Sequence, residues 1–143
     1  ESSQNLKLSV LYKDMNGTII SPILLQQGTS FIAEVTVSNP GLYGMYENLA
    51  LSQIFPSGWE IINARSSEMA QAKAGDGAFD YQDIRDDRAN TFFSLDAGRS
   101  KTFKILLMAT YTGRFYQPAV RCSAMYDASV EARTTGRWVE VVK

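Results

Sequence analysis

The chain has 143 residues, 45% hydrophobic and 20% charged, with 14 basic against 15 acidic residues and a formal charge of -1. That is the composition of one ordinary globular domain, long enough to bury a core without disulfides, and it lacks the clustered Lys and Arg that bind nucleic acid. It has no histidine, which excludes Ser–His–Asp and Cys–His catalysis and imidazole-ligated metals.

Asn5–Tyr12 reads as a first strand, with Leu6, Leu8, Val10 and Tyr12 on one face of a period-two alternation. Asn16-Gly17 follows, a hairpin signal because both residues tolerate positive φ, and Thr18–Ile20 is the expected return strand. Asn16-Gly17-Thr18 also matches a glycosylation sequon, which the turn explains without a glycan. Ser30–Asn39 alternates cleanly, placing Phe31, Ala33, Val35 and Val37 inward, and Asn39-Pro40-Gly41 ends it. Leu42–Glu47 reads as a partly exposed aromatic loop carrying Tyr43, Met45 and Tyr46. Asn48–Phe55 and Trp59–Ala64, on either side of Pro56-Ser57-Gly58, make a second hairpin.

The middle of the chain has a different texture. Ser67 caps an expected short helix over Glu68–Ala74, with Gly75 at its C-terminal end. The most charged stretch comes next, with Asp80, Asp83, Asp86 and Asp87 interleaved with Arg85 and Arg88. Crowded carboxylates can serve as an acid/base pair or as oxygen ligands for calcium. The interleaved arginines and the missing D-x-D-x-D-G spacing favour a structural reading. In that reading Asp83, Arg85, Asp86 and Arg88 are ion-paired within the chain, and the metal sites and cofactors expected are none.

Asn90–Asp96 is the next strand, and Ala97-Gly98-Arg99-Ser100 turns into the strand on which the last third is built. There Phe103, Ile105, Leu107, Ala109 and Tyr111 alternate with Thr102, Lys104, Leu106, Met108 and Thr110. A run over Ala119–Asp127 and another over Arg137–Val142 follow, and the three are expected to be antiparallel neighbours. Cys122 sits within the second run, as a small buried apolar residue rather than a reactive thiol. The fold class expected is all-β, a two-sheet antiparallel sandwich with at most one or two short helices. Its predicted core is Phe31, Val35, Val37, Leu51, Trp59, Ile61, Phe93, Ile105, Leu107, Val120 and Trp138. No apolar stretch is long enough to span a membrane, and the chain shows no catalytic equipment. The residues themselves point to a binding or structural module.

Three stretches go further. They are Gln53-Ile-Phe-Pro-Ser-Gly-Trp-Glu60, then Tyr81-Gln-Asp-Ile-Arg-Asp-Asp-Arg88 with the Phe92-Phe93 strand, then Gly113-Arg-Phe-Tyr-Gln-Pro-Ala-Val120 leading to Ala124-Met-Tyr-Asp127 and Gly136-Arg-Trp-Val-Glu140. In order and spacing this set resembles the C-terminal macroglobulin-like domain of bacterial α2-macroglobulins, over nearly the whole chain. The resemblance implies that residues 1–143 are one such domain, a fragment of a much larger cell-envelope protein, periplasmic or anchored to the outer membrane, that traps proteinases. In that family a bait region is cleaved and an internal thioester in a separate domain couples to the attacker. The thioester Cys-x-x-Gln motif is absent here, and Cys122 in Arg-Cys-Ser-Ala-Met does not match it. The resemblance therefore implies a non-catalytic module whose partners are the other domains of its parent, the thioester domain first, and target proteinases through the parent. It places Met125 and Tyr126 at the position that shields the thioester, with Tyr116 as a neighbour. The other reading is a stand-alone adhesive or carbohydrate-binding sandwich, with Tyr43, Tyr46 and Tyr116 as stacking platforms.

Overall fold

The computed structural model describes residues 2–63 and 81–143. The helix expected over Glu68–Ala74 and the first part of the acidic stretch, including Asp80, lie outside the described residues. Among the described residues there are fourteen strands and no helix. A six-stranded sheet runs in the order β1 (Ser2–Gln4), β13 (Asp127–Arg133), β12 (Arg121–Ala124), β6 (Tyr46–Ile54), β9 (Arg88–Leu95) and β8 (Tyr81–Ile84). A five-stranded sheet has β3 (Ile19–Ile20), β2 (Lys7–Asp14), β5 (Ser30–Ser38), β10 (Ser100–Ala109) and β7 (Trp59–Asn63). A three-stranded ladder has β11 (Gly113–Gln117), β14 (Arg137–Val142) and β4 (Leu24–Gln26), and its β14–β4 pair is parallel.

The core shows how these ladders stack. Val35, Val37 and Phe103 of the five-stranded sheet pack on Leu49, Leu51, Phe93 and Cys122 of the six-stranded one. Farther along the same sheet, Phe31, Ala33, Ile105 and Leu107 pack on Leu25, Val139 and Val141 of the three-stranded ladder. The architecture is thus an all-β, two-layer sandwich in which one layer is continuous and the other is split in two. The split has a local cause. Strands β11 and β14 pair Gln117 with Arg137, and β12 and β13 pair Arg121 with Arg133, in one shared register. They are two halves of one long hairpin. Pro118 stands between the halves and has no N–H to donate. At Val120 the amide donates to Thr134 Oγ1 (2.9 Å), while Thr134 N donates to the Val120 carbonyl (2.9 Å).

Several expectations change here. The first hairpin forms, with Tyr12 opposite Ile20, but only Gly17 is left-handed (φ 87°). Asp14 Oδ1 instead accepts from the amides of Asn16 (2.9 Å) and Thr18 (3.0 Å) and closes the turn. Strands β6 and β7 do not form a hairpin. Phe55 and Trp59 are both buried, so the Pro56-Ser57-Gly58 turn wraps the core edge and carries the chain from one sheet to the other. The three late strands expected as neighbours, β10, β12 and β14, lie in three different ladders.

Of the predicted core, Phe31, Val35, Val37, Leu51, Trp59, Phe93, Ile105, Leu107 and Val120 are buried, and Ile61 is half-buried. Trp138 is 53% exposed. Strand parity overrides size at this point: Val139 and Val141 take the inward face, so Trp138 must look outward. Its ring meets Tyr116 edge-on, with centroids 5.5 Å apart, and Arg114 lies 4.9 Å from its centroid.

Candidate functional site

The site is built at one end of the sandwich. Ala124 pairs with Asp127, leaving Met125 and Tyr126 as the two-residue tip of the β12–β13 hairpin. The chain does turn at this point, and both side chains leave the core: Met125 is 55% exposed and Tyr126 83%. Two contacts hold the tip. Asp127 Oδ1 accepts from Ser129 N (3.0 Å) and Ser129 Oγ (2.6 Å). Met125 N donates to the carbonyl of Asn48 (3.0 Å), which is left-handed (φ 59°) in the bulge between Tyr46 and Leu49. Left-handed backbone at a non-glycine residue is uncommon, and asparagine is among the residues that tolerate it.

The hydrogen bonds from Ser129 hold the Asp127 carboxyl below the ordinary carboxylate value of 3.8. A depressed carboxyl stabilises the fold above its unfolded value, and that contribution is lost as pH falls through the folded value. The Asp127 side chain should therefore titrate below 3.8 by NMR, with the Ser129 amide following the same midpoint, and Ser129→Ala should bring it back toward the ordinary value. An unchanged midpoint in the Ser129→Ala chain would remove the hydroxyl from the account.

Beside the hairpin runs the loop that leads into β6. Leu42 and Tyr43 are each 68% exposed and Met45 is 54% exposed. Tyr46, counted in the sequence among the exposed stacking aromatics, is buried, and its hydroxyl donates to the Asn5 carbonyl (2.7 Å). Burial pushes its phenol above the ordinary value, and the neighbouring Tyr43 and Asp127 push the same way. Asn39 anchors the loop from below. Its Oδ1 accepts from Gly41 N (2.9 Å), and its Nδ2 donates to the carbonyls of Gly44 (2.8 Å) and Leu95 (3.0 Å). Sequence patterning found the turn at Asn39-Pro40-Gly41 but not this side-chain anchor.

The remaining predicted residues stand elsewhere. Tyr116 is half exposed on β11, in the three-stranded ladder, and its ring contact is with Trp138. Nothing brings it to the hairpin tip. The acidic segment forms the turn between β8 and β9. Arg85 pairs with Asp83 (3.1 Å) and Arg88 with Asp87 (3.0 Å), whereas Asp86 makes no ion pair among the described residues. The hydrogen bond between Asp87 and Arg88 holds the carboxyl below its ordinary value and the guanidinium above its own. Both pairs are solvent-exposed and contribute little to stability. Among the described residues no three acidic, cysteine or histidine side chains converge on a point where a metal would sit. Cys122 lies in the core, where burial pushes its thiol up to about 12. A thiol so buried is a poor nucleophile at neutral pH. What the site offers is a rigid, exposed apolar tip rather than a reacting group.

Comparison with known proteins identifies the architecture first. The chain superimposes over 99% of its length on crystal structures of Salmonella alpha-2-macroglobulin reacted with methylamine (TM-score 0.84, 18% identity, 9% of that chain). It does so equally on native Escherichia coli alpha-2-macroglobulin spanning domain MG7 to the C-terminus (TM-score 0.85, 16% identity, 24% of that chain). At these identities the likeness shows the fold alone. An alpha-2-macroglobulin homolog of Yersinia pestis is 26% identical over 155 aligned residues, covering 94% of this chain but 8% of that protein's length. Residues 7–128 match the family described as the bacterial alpha-2-macroglobulin MG10 domain, and the chain belongs to that family.

Proposed function

We propose that this MG10 domain is the non-catalytic C-terminal module of a bacterial α2-macroglobulin-like proteinase trap of the cell envelope, and that its hairpin end docks on the thioester domain and shields the thioester. The observation that carries the reading is the Met125–Tyr126 tip. Two large apolar side chains face solvent on a backbone fixed by Asn48 and Ser129. Exposed apolar groups on a rigid turn are a surface made to be covered, and covering a thioester with them keeps water from hydrolysing it. Leu42, Tyr43 and Met45 widen the same apolar end. Tyr116, on another ladder, has no part in this reading.

The test uses the full-length trap carrying this domain and its thioester. Tyr126→Gly and Met125→Ala should each speed inactivation by methylamine, by about tenfold if each side chain supplies about 1.4 kcal/mol of the cover, with the thermal transition of the domain unchanged. Inactivation at the wild-type rate in both variants would assign the shield to other residues. The adhesive or carbohydrate-binding reading loses one of its three platforms with the burial of Tyr46, and Tyr43 and Tyr116 stand on different elements.

A further inference from the structure

The break in the long hairpin leaves a cavity of about 190 Å³ between β2 and the two connections at residues 118–120 and 134–136. Among the described residues no carboxylate lines it. Its polar wall is assembled from a buried relay: Arg137 Nε donates to Gln117 Oε1 (2.9 Å), and Gln117 Nε2 donates to the Tyr12 hydroxyl (2.5 Å). Gln117 is 5% exposed and Tyr12 6%. The Arg137 guanidinium also lies over the Tyr12 ring, 5.6 Å from its centroid. Thr134 Oγ1 accepts from Val120 N, which leaves its own proton to donate. Val10 and Val120 supply the apolar part of the wall.

Lys13, Lys104, Arg85, Arg88 and Arg121 each lie within ion-pair distance of a carboxylate. Half-buried Arg137, like Lys7, Arg99, Lys101, Arg114 and Arg133, has none among the described residues, but of these it alone lines the cavity wall. With Nε engaged by Gln117 and the guanidinium also bonded to the Tyr12 hydroxyl, the remaining N–H groups of Arg137 in the cavity wall are suited to donate to a carboxylate. At about 30 Å³ for each water-sized group, the cavity holds the side chain of an Asp or a Glu.

We propose that this gap is a receptor for a carboxylate, gripped by the remaining guanidinium N–H donors of Arg137 and the Thr134 hydroxyl, and supplied either by an acidic side chain of a neighbouring polypeptide or by a small free acid. The site is independent of the hairpin tip and of the thioester. It is tested on the 143-residue chain, isotopically labelled, with acetate, a capped glutamate peptide and its glutamine isostere as probes at constant ionic strength. The glutamate peptide and acetate should shift the Arg137 Nε–Hε and Gln117 Nε2 resonances saturably, with the Met125 and Tyr126 amides unmoved. The glutamine isostere should do nothing. Tighter binding of the peptide than of acetate would identify a polypeptide as the source, and the reverse a free acid. Arg137→Lys should weaken binding about tenfold, since lysine keeps the charge but cannot hold Gln117 and Tyr12 while donating to the ligand. Thr134→Val, which keeps the shape and leaves Arg137 in place, should weaken it a few-fold. Equal shifts from the glutamine isostere, no saturation with either acid, or unchanged affinity in Arg137→Lys would each overturn the proposal.

Discussion

Phe31→Ala should destabilise the chain by about 3–5 kcal/mol, the range for emptying a phenylalanine site in a close-packed core. Phe31 is completely buried, meets Trp59 edge-on with centroids 5.0 Å apart, and lies 6.3 Å from the Tyr12 ring. Strands β2, β5 and β7 each contribute one ring to this cluster, so two large, stiff rings wall the space that Phe31 would leave. The control is Trp138→Ala, which removes a larger side chain. Its loss should stay below about 1 kcal/mol, because that ring is already half in water. Chemical denaturation of the two variants measures both. Equal losses would mean that Trp138 is covered in solution by something other than this chain's own sheets.

Asn39→Ala is expected to cost about 2–3 kcal/mol, far more than its size suggests. The side chain is 2% exposed and satisfies one amide and two carbonyls. Removing it strands those groups away from water, and a stranded buried group costs about 1–3 kcal/mol. Asn39→Asp separates this from simple loss of volume. A carboxylate keeps the acceptor for Gly41 N but turns an oxygen toward the carbonyls of Gly44 and Leu95. That variant should be at least as unstable as Asn39→Ala at neutral pH and should recover on acidification, as protonation restores a donor. The thermal transition across pH measures it. A pH-independent Asn39→Asp would mean that the two carbonyls find other donors.

What could be read from the sequence follows one physical divide. Period-two alternation is a local property, and it placed Phe31, Ala33, Val35 and Val37 inward without error. Which strand pairs with which is not local. The Pro56-Ser57-Gly58 turn looks the same whether it closes a hairpin or carries the chain between sheets, and the choice is made by core packing around Phe55 and Trp59. Trp138 misled because its size outweighed parity in the reading, whereas Val139 and Val141 settle the facing of that strand. The Met125–Tyr126 turn was legible through resemblance and through the turn-forming Asp127 after it. The neighbouring Leu42–Met45 loop was seen only as an aromatic loop, because its place beside the hairpin depends on a bulge at Asn48 that no pattern announces. The Arg137 cavity was invisible for the same reason: it exists only where two distant halves of a hairpin part.

The pairing of early with late strands also sets an order of events during synthesis. Strand β4 takes its partner from residues 140–142, and β1 takes its own from residues 131–133. As the chain leaves a ribosome, residues 5–63 can join β2, β3 and β5, but the edges that β13 and β14 will cover stay open until the last of these residues appear. Long-range closure of this kind is slow, on the order of milliseconds to seconds for β-sandwiches. Until then the inner faces of Leu49, Leu51 and Leu25 are available to any other strand or chaperone nearby. Once the long hairpin lies down it closes the six-stranded sheet and the three-stranded ladder together, so both halves of the split layer should protect their amides in a single step.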